Sequence, residues 1–299
     1  MKPSAAFANP YFVLVMASLF WGGNAIAGKL ASLDWQPFTI TFTRWVLVAV
    51  LVLPFASEHI RKDWGTIKSN WKILALLSAF SMALFNLLMY LALHFTSAIN
   101  VSIEQASMPA MIMLANFLFL SQRITLLQLV GLVSSIVGVL VICTGGEVTS
   151  LLDQGVNRGD AYMLLACAFY AAYTFGLRWK PDLHWLSFIW VLAIGASAMS
   201  LPWAAWEWRY TTFTMPGVTG WLVLVYIIIF PTIVSQIFYA RGVQLIGGNR
   251  AGLFINLVPI FGSLLAILIL RETFHYFHGV GLVMVVGGIM LAERYANRQ

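Results

Sequence analysis

Charge is what this sequence has least of. Of its 299 residues 9% are charged and 61% are hydrophobic, where a soluble protein carries about a quarter charged residues. A water-soluble monomer is thereby excluded, and a polytopic membrane protein is expected. Cysteine is almost as scarce. Cys143 and Cys167 are the two present, both inside apolar runs, and no CxxC or Cys/His spacing occurs, which excludes a disulfide framework and a zinc site. There is no GxxxxGK[ST] loop, so the chain does not hydrolyse ATP. There is no HExxH and no ring of acids or carbonyl-filter sequence, which argues against an intramembrane enzyme and an inorganic cation channel. His275 and His278 of "HYFH" have only Glu272 for acidic company and are read as interfacial packing. No metal and no cofactor is expected.

What is abundant is long apolar segments. A bilayer core about 30 Å thick takes about 20 residues of helix. On that scale spans are expected near 11–30, 36–56, 72–92, 97–120, 125–144, 159–178, 184–204, 218–240, 248–270 and 275–293. Polar loops are expected at Ser57–Trp71, Gly145–Arg158 and Ala205–Gly217. The first span is read as a retained helix, since no small-x-small cleavage site follows it.

The net charge of +6 is a topology signal rather than a nucleic-acid one. With the N-terminus in the cytoplasm, twelve Lys and Arg fall inside (Lys2, Arg61, Lys62, Lys68, Lys72, Arg123, Arg178, Lys180, Arg241, Arg250, Arg294, Arg298) and four outside (Lys29, Arg158, Arg209, Arg271). Both termini are then cytoplasmic. Most tryptophans sit at predicted span ends, as headgroup-level indoles do; Trp21, Trp45 and Trp190 lie deeper.

The chain repeats itself. Laid over one another at an offset of 150 without a gap, Asn100–Gly138 and Arg250–Gly288 match Pro109 to Pro259, Gly131 to Gly281 and Gly138 to Gly288. Each half holds five spans. An odd number turns the second copy upside down, and inverted repeats mark secondary transporters with a site near the midplane between the halves. The expected organisation is a first repeat at 1–145, a linker on the outer face at 146–158, and a second, inverted repeat at 159–299. The fold class expected is an all-α polytopic membrane protein of ten transmembrane helices.

Several stretches carry a resemblance: "FWGGNAIAGK" in the first span, "TFTRW" in the second, "GLVSSIVGVLVI" in the fifth and "GGNRAGLFINLVPIFGSLLAILILRETFHYFHGVGLVMVVGGIML" near the C-terminus. The chain resembles the drug/metabolite transporter superfamily in its ten-helix form with tandem EamA-type repeats. The family's usual acid in the turn between the fourth and fifth helices of a repeat is kept as Glu272 but replaced by Gln122 in the first copy. Within the superfamily the chain looks most like bacterial exporters of aromatic and other bulky amino acids. That resemblance implies export across the bacterial inner membrane; other members are importers or exchangers.

Ionisable residues inside a span are rare and face a bundle interior or a wet cavity. Arg44 and Glu104 are the two read as lying well inside. Counted from the outer ends of their helices they are about 12 and 10 Å deep, so an ion pair between them is geometrically open. Glu104 could equally hold a substrate ammonium or carry a proton. Pro109 and Pro259 each free a carbonyl one turn earlier, and breaks at matching places in two repeats point to a binding region. Helical spacing gathers Asn100, Glu104 and Met108 on one face, and Asn86 with Tyr90 on another; Gln236 and Tyr239, Asn256, Trp21 with Asn24, and Tyr170 with Tyr173 complete the candidates. An aromatic, Met-rich cavity with amides suits a large neutral amino acid such as an aromatic one, Met or Thr, with a broad drug or toxin exporter as the alternative. The partners expected are a small-molecule substrate and the bilayer, with no nucleic acid and no obligate protein partner, since a monomer could contain the whole pathway.

Overall fold

The computed structural model describes residues 9–120, 125–147, 157–211 and 214–296. Within them the chain is helical throughout: α1 (Pro10–Ala31), α2 (Pro37–Ser69), α3 (Trp71–Leu93), α4 in two pieces (Ala98–Gln105 and Met108–Leu120), α5 (Leu126–Cys143), α6 (Arg158–Gly176), α7 (Trp185–Tyr210), α8 (Val218–Ile246), α9 (Arg250–Leu270) and α10 (Tyr276–Ala296). Eight of them are long and apolar enough to cross a bilayer; α4 is interrupted, and the apolar stretch of α10 is the shorter Tyr276–Ala292. Gln122 and Arg123 lie outside the described residues, as do Lys2, Arg298 and most of the linker.

Local chemistry starts some of the helices. The Asn9 carboxamide accepts from the backbone N–H of Tyr11 and Phe12, with Pro10 at the first helical position of α1. Thr125 and Gln128 form a reciprocal capping box at α5. The expected polar loop at 57–71 is instead helical as far as Ser69. No proline follows Pro54, and Glu58 pairs with Lys62 at 2.7 Å one turn on. Its polarity marks a change of surroundings, not the end of the helix. For the same reason α7 runs on to Tyr210, beyond the expected end at 204.

The repeats are inverted in space. In the α5–α10 contact Gly131 faces the carbonyl of Gly288 while Gly138 faces that of Gly281, so the two helices run antiparallel. A Cβ on Gly288 would lie 2.5 Å from the Gly131 oxygen. Such close backbone approach is how helices associate where lipid removes the hydrophobic drive. At the centre of this contact Ser134 and Ser135 donate to the carbonyls of Met284 and Val285, each its own counterpart at an offset of 150. Helices α2 and α7 repeat the relation. Glu207, near the end of α7, accepts from the N–H of Phe38 and Thr39 at 3.0 and 2.7 Å, and Asp63, near the end of α2, accepts from His184 N–H at 3.0 Å. The remaining packing respects the same exchange: α1 lies against α8 and α9, and α6 against α3 and α4.

Two helical breaks recur as matched pairs, while a π-helical turn at Ala266–Leu270 of α9 has no counterpart in α4. α3 widens to a π-helical turn at Ala79–Leu84 and α8 does so at Ile228–Val234. α4 is interrupted at Ala106–Ser107 before Pro109, and α9 tightens to a 3-10 turn at Leu253–Asn256 before Pro259. Carbonyls loosened from the ladder need new partners in the membrane. Thr232 and Ser235 supply hydroxyls to Ile227 and Phe230, and the Asn86 amide donates to Met82 O at 2.9 Å.

Candidate functional site: a central arginine and a buried carboxyl pair

The residues singled out by sequence fall into two groups. The first is built on Arg44 of α2, which is buried. Its guanidinium donates to Asn86 Oδ1 at 2.7 Å, Tyr90 OH at 2.6 Å and Thr232 Oγ1 at 2.7 Å, and it lies 4.9 Å from the centre of the Trp45 ring. Asn86 is the second residue beyond the π turn of α3, and Thr232 lies within that of α8. The guanidinium therefore bridges the two irregular segments of opposite repeats. π turns often mark functional places in helices.

Aromatic residues border this centre. Trp21 donates its indole N–H to Pro231 O at 3.1 Å, and its ring lies 5.3 Å from that of Tyr239. Asn24 donates to the Met89 sulfur at 3.7 Å, while its own Oδ1 is buried without a donor. Tyr170 lies between Phe85 at 5.2 Å and Tyr173 at 5.5 Å. Met108 packs half-buried against the main core, and Asn256 is half-buried on α9, whereas Gln236 is exposed.

The second group is built on Glu104 of α4, whose side chain is fully buried. Arg44 and Glu104 form no ion pair. Arg44 is held by neutral oxygens, and Glu104 Oε1 accepts instead from the Cys143 thiol at 3.4 Å. Matching depth brought the two charges level, but depth says nothing of rotation about the helix axis. The face carrying Glu104 is turned to α5 and α6. There a second acid, Asp160 of α6, is 2% exposed. A carboxylate oxygen of each acid and the Cys143 sulfur all lie within 4.8 Å of one another. Asp160 accepts from Thr96 and, at 3.3 Å, from the Asn100 amide. Asn100 Oδ1 in turn meets His278 Nε2 at 3.1 Å; because His278 Nδ1 accepts from His275 N–H, it is Nε2 that donates. A chain of polar groups thus leads from Glu104 through Asp160 and Asn100 to α10. These three ligand atoms are the ones among the described residues placed to share a metal ion.

The C-terminal end of α3 and the N-terminal ends of α4 and α6 are tied together. Lys29 Nζ donates to the carbonyls of Leu93 and Thr96 at 2.6 and 2.8 Å, and Glu272 accepts from Ala98 and Ile99 N–H at 2.8 and 3.0 Å, capping α4 from the turn before α10. The capping explains why an acid stands in that turn. Two surface crevices of about 270 and 400 Å³ lie elsewhere, one walled by side chains such as Phe80, Phe119 and Phe175, the other by Trp35, Trp208 and Trp221. They offer almost nothing polar and are left out of the site.

Sequence reasoning missed Asp160, Thr232 as an arginine ligand, and His278 as a polar partner. Asp160 reads as a first-turn acid at a helix N-terminus, a common place for one, and nothing local says that α4 covers it. Thr232 shares a face of α8 with Gln236 and Tyr239 in the sequence, but spacing within one helix does not reach its partner on α2.

The pattern of the EamA-like transporter family matches residues 9–144 and again 157–293. The chain belongs to that family: it is a multi-pass membrane transporter of two EamA repeats and not an enzyme. It is 23% identical over 290 residues to the uncharacterized transporter YetK of Bacillus subtilis, covering 94% of this chain and 86% of that one. It is likewise 23% identical to the uncharacterized inner membrane transporter YicL of Salmonella typhimurium, covering 96% and 95%, and to an uncharacterized transporter of Archaeoglobus fulgidus. A solved crystal structure shares the fold over 97% of this chain and 99% of that one, with TM-score 0.63 at 16% identity.

Proposed function

We propose that the protein exports bulky neutral amino acids, aromatic ones foremost and Met or Thr with them, across a bacterial inner membrane by alternating access between its repeats. The observation that carries this reading is the aromatic border, Trp21, Tyr239, Tyr170 and Tyr173, around a polar centre that both repeats supply. Such a surface suits an apolar side chain fixed by a few polar groups. The excess of Lys and Arg on one side supports cytoplasmic termini, which places the tied ends of α3, α4 and α6 at the outer face.

The carboxyl pair supports proton coupling. Two carboxyl groups sharing a site disfavour both being charged, and Glu104 Oε2 has no hydrogen-bond donor. Glu104 and Asp160 therefore hold one proton between them and release it when α4 moves. The test is uptake of radiolabelled phenylalanine, methionine and threonine into liposomes containing the purified protein, with and without a pH gradient and with membrane potential clamped. Saturable uptake that responds to the gradient is expected; uptake of none of the three would overturn the amino-acid reading. In the same assay Trp21→Ala should lower phenylalanine uptake several-fold more than threonine uptake. Equal losses would make Trp21 a packing residue.

A further inference from the structure

Among the described residues, Arg44 is a buried cation without a counter-ion. Its three partners are an amide, a phenol and a hydroxyl, all neutral, and its Nε has no acceptor. A buried charge is costly unless it is paired, and a neutral side chain could tie α2 to α3 and α8 without that cost. The position also lies between the corresponding π turns of α3 and α8, one from each repeat. Resting on the transport reading above, we propose that Arg44 is the anchor for the carboxylate of the transported molecule, a small organic acid or zwitterion with one negative charge and an apolar body.

The surroundings suit such a ligand. A guanidinium presents a planar fork that matches a carboxylate with two parallel hydrogen bonds. The bond to Thr232 is only part-buried, so this is the side from which a ligand can replace a neutral partner. Trp21 is held to Pro231, the neighbour of Thr232, and sets an aromatic surface beside the anchor. Asn24 lies on the same helix as Trp21 and reaches Met89, the neighbour of Tyr90. Its orphaned Oδ1 can accept from an ammonium. One fixed positive charge selects one negative charge, so phosphate esters and dicarboxylates are poor ligands. Displacing Thr232 or Asn86 from the guanidinium loosens α8 or α3 at its π turn, and binding thereby acts on the helices that must move.

The test compares two probes of one shape on protein purified in detergent, 3-phenylpropionate and its uncharged amide, 3-phenylpropionamide. The carboxylate is expected to raise the unfolding temperature of the native protein and the amide to leave it unchanged. Arg44→Gln should abolish the shift, and Arg44→Lys, which keeps the charge but not the fork, should weaken apparent affinity about tenfold. No shift with millimolar 3-phenylpropionate, or equal shifts with both probes, would overturn the assignment; this comparison needs no variant and decides the matter even if Arg44→Gln does not fold. Labelled phenylalanine uptake separates the two readings. Uptake with an unchanged KM in Arg44→Gln sinks the anchor and leaves amino-acid transport standing. A carboxylate shift that depends on Arg44, without uptake of any amino acid, retains the anchor and discards the amino acids.

Discussion

Helices α4 and α9 are counterparts in the two repeats, yet they sit in the molecule differently. Both are interrupted just ahead of a matched proline. In α4 the piece before the break is sealed: Ile99, Val101 and Ile103 are wholly buried, and the piece packs against α5, α6, α9 and α10. At the matching place on α9, Leu253 is 51% exposed where Ile103 is 0%. Chemistry diverges at the next position, with Glu104 in one copy and Phe254 in the other. Similar backbone breaks thus carry a fully buried face in one copy and a partly exposed one in the other. In an inverted repeat the exchange of those two states converts one access into the other. The acid on only one copy gives that exchange a chemical direction.

The comparison can be broken most severely where the repeats meet. Gly288→Leu would drive a side chain into the Gly131 carbonyl, and backbone cannot yield as a side chain does. A loss of more than about 3 kcal/mol is expected, seen as disappearance of the monodisperse peak in size-exclusion chromatography. A well-folded variant would mean that the α5–α10 contact does not hold the halves together.

Removing the chemical asymmetry comes next. Glu104→Gln keeps the shape and cannot ionise, so the pH-gradient response should vanish and uptake should fall at least about tenfold, the equivalent of about 1.4 kcal/mol. Asp160→Asn should share the loss of coupling. A full gradient response in both variants would return the pair to a packing role.

A smaller effect sharpens the difference in closure. Glu272→Gln removes the charge that caps α4, a change of about 1 kcal/mol, or about a fivefold shift between sealed and open states. A cysteine placed at Asn100 should then react about that much faster with a membrane-impermeant maleimide added on the side of the membrane to which this end faces. Cys143 and Cys167 are buried and give little background. An unchanged rate would show that the cap does not govern this end. The smallest change is expected at the exposed pair on the extended part of α2, where Glu58→Gln should leave the unfolding temperature as it is, since exposed ion pairs contribute little.

Much of the fold was legible because lipid imposes strong rules on composition. Ten apolar segments, a gapless match of Pro109 with Pro259 and of paired glycines, and five helices per half already implied an inverted repeat. Helix ends were less legible: at 57–69 polarity changes while the helix continues, because leaving the bilayer and ending a helix are separate events. The candidate residues were found as faces, each from the spacing within one helix. How those faces meet was beyond reach of spacing.

The pairing of charges illustrates the limit. From sequence alone, Arg44 and Glu104 were two buried charges at the same depth, and pairing was the less costly arrangement. Depth follows from 1.5 Å per residue along one helix, so a single chain segment determines it. Which way a residue points at that depth depends on how each helix is rotated against its neighbours, and this is set by close contacts such as Gly131 with Gly288 and by caps such as Glu272 on α4. Those contacts turned Glu104 toward Asp160 and left Arg44 between two π turns with neutral partners. Composition and periodicity determined that this chain is a ten-helix transporter with an inverted repeat; only the packing of helices against one another decided that its buried cation and its buried acids stand apart.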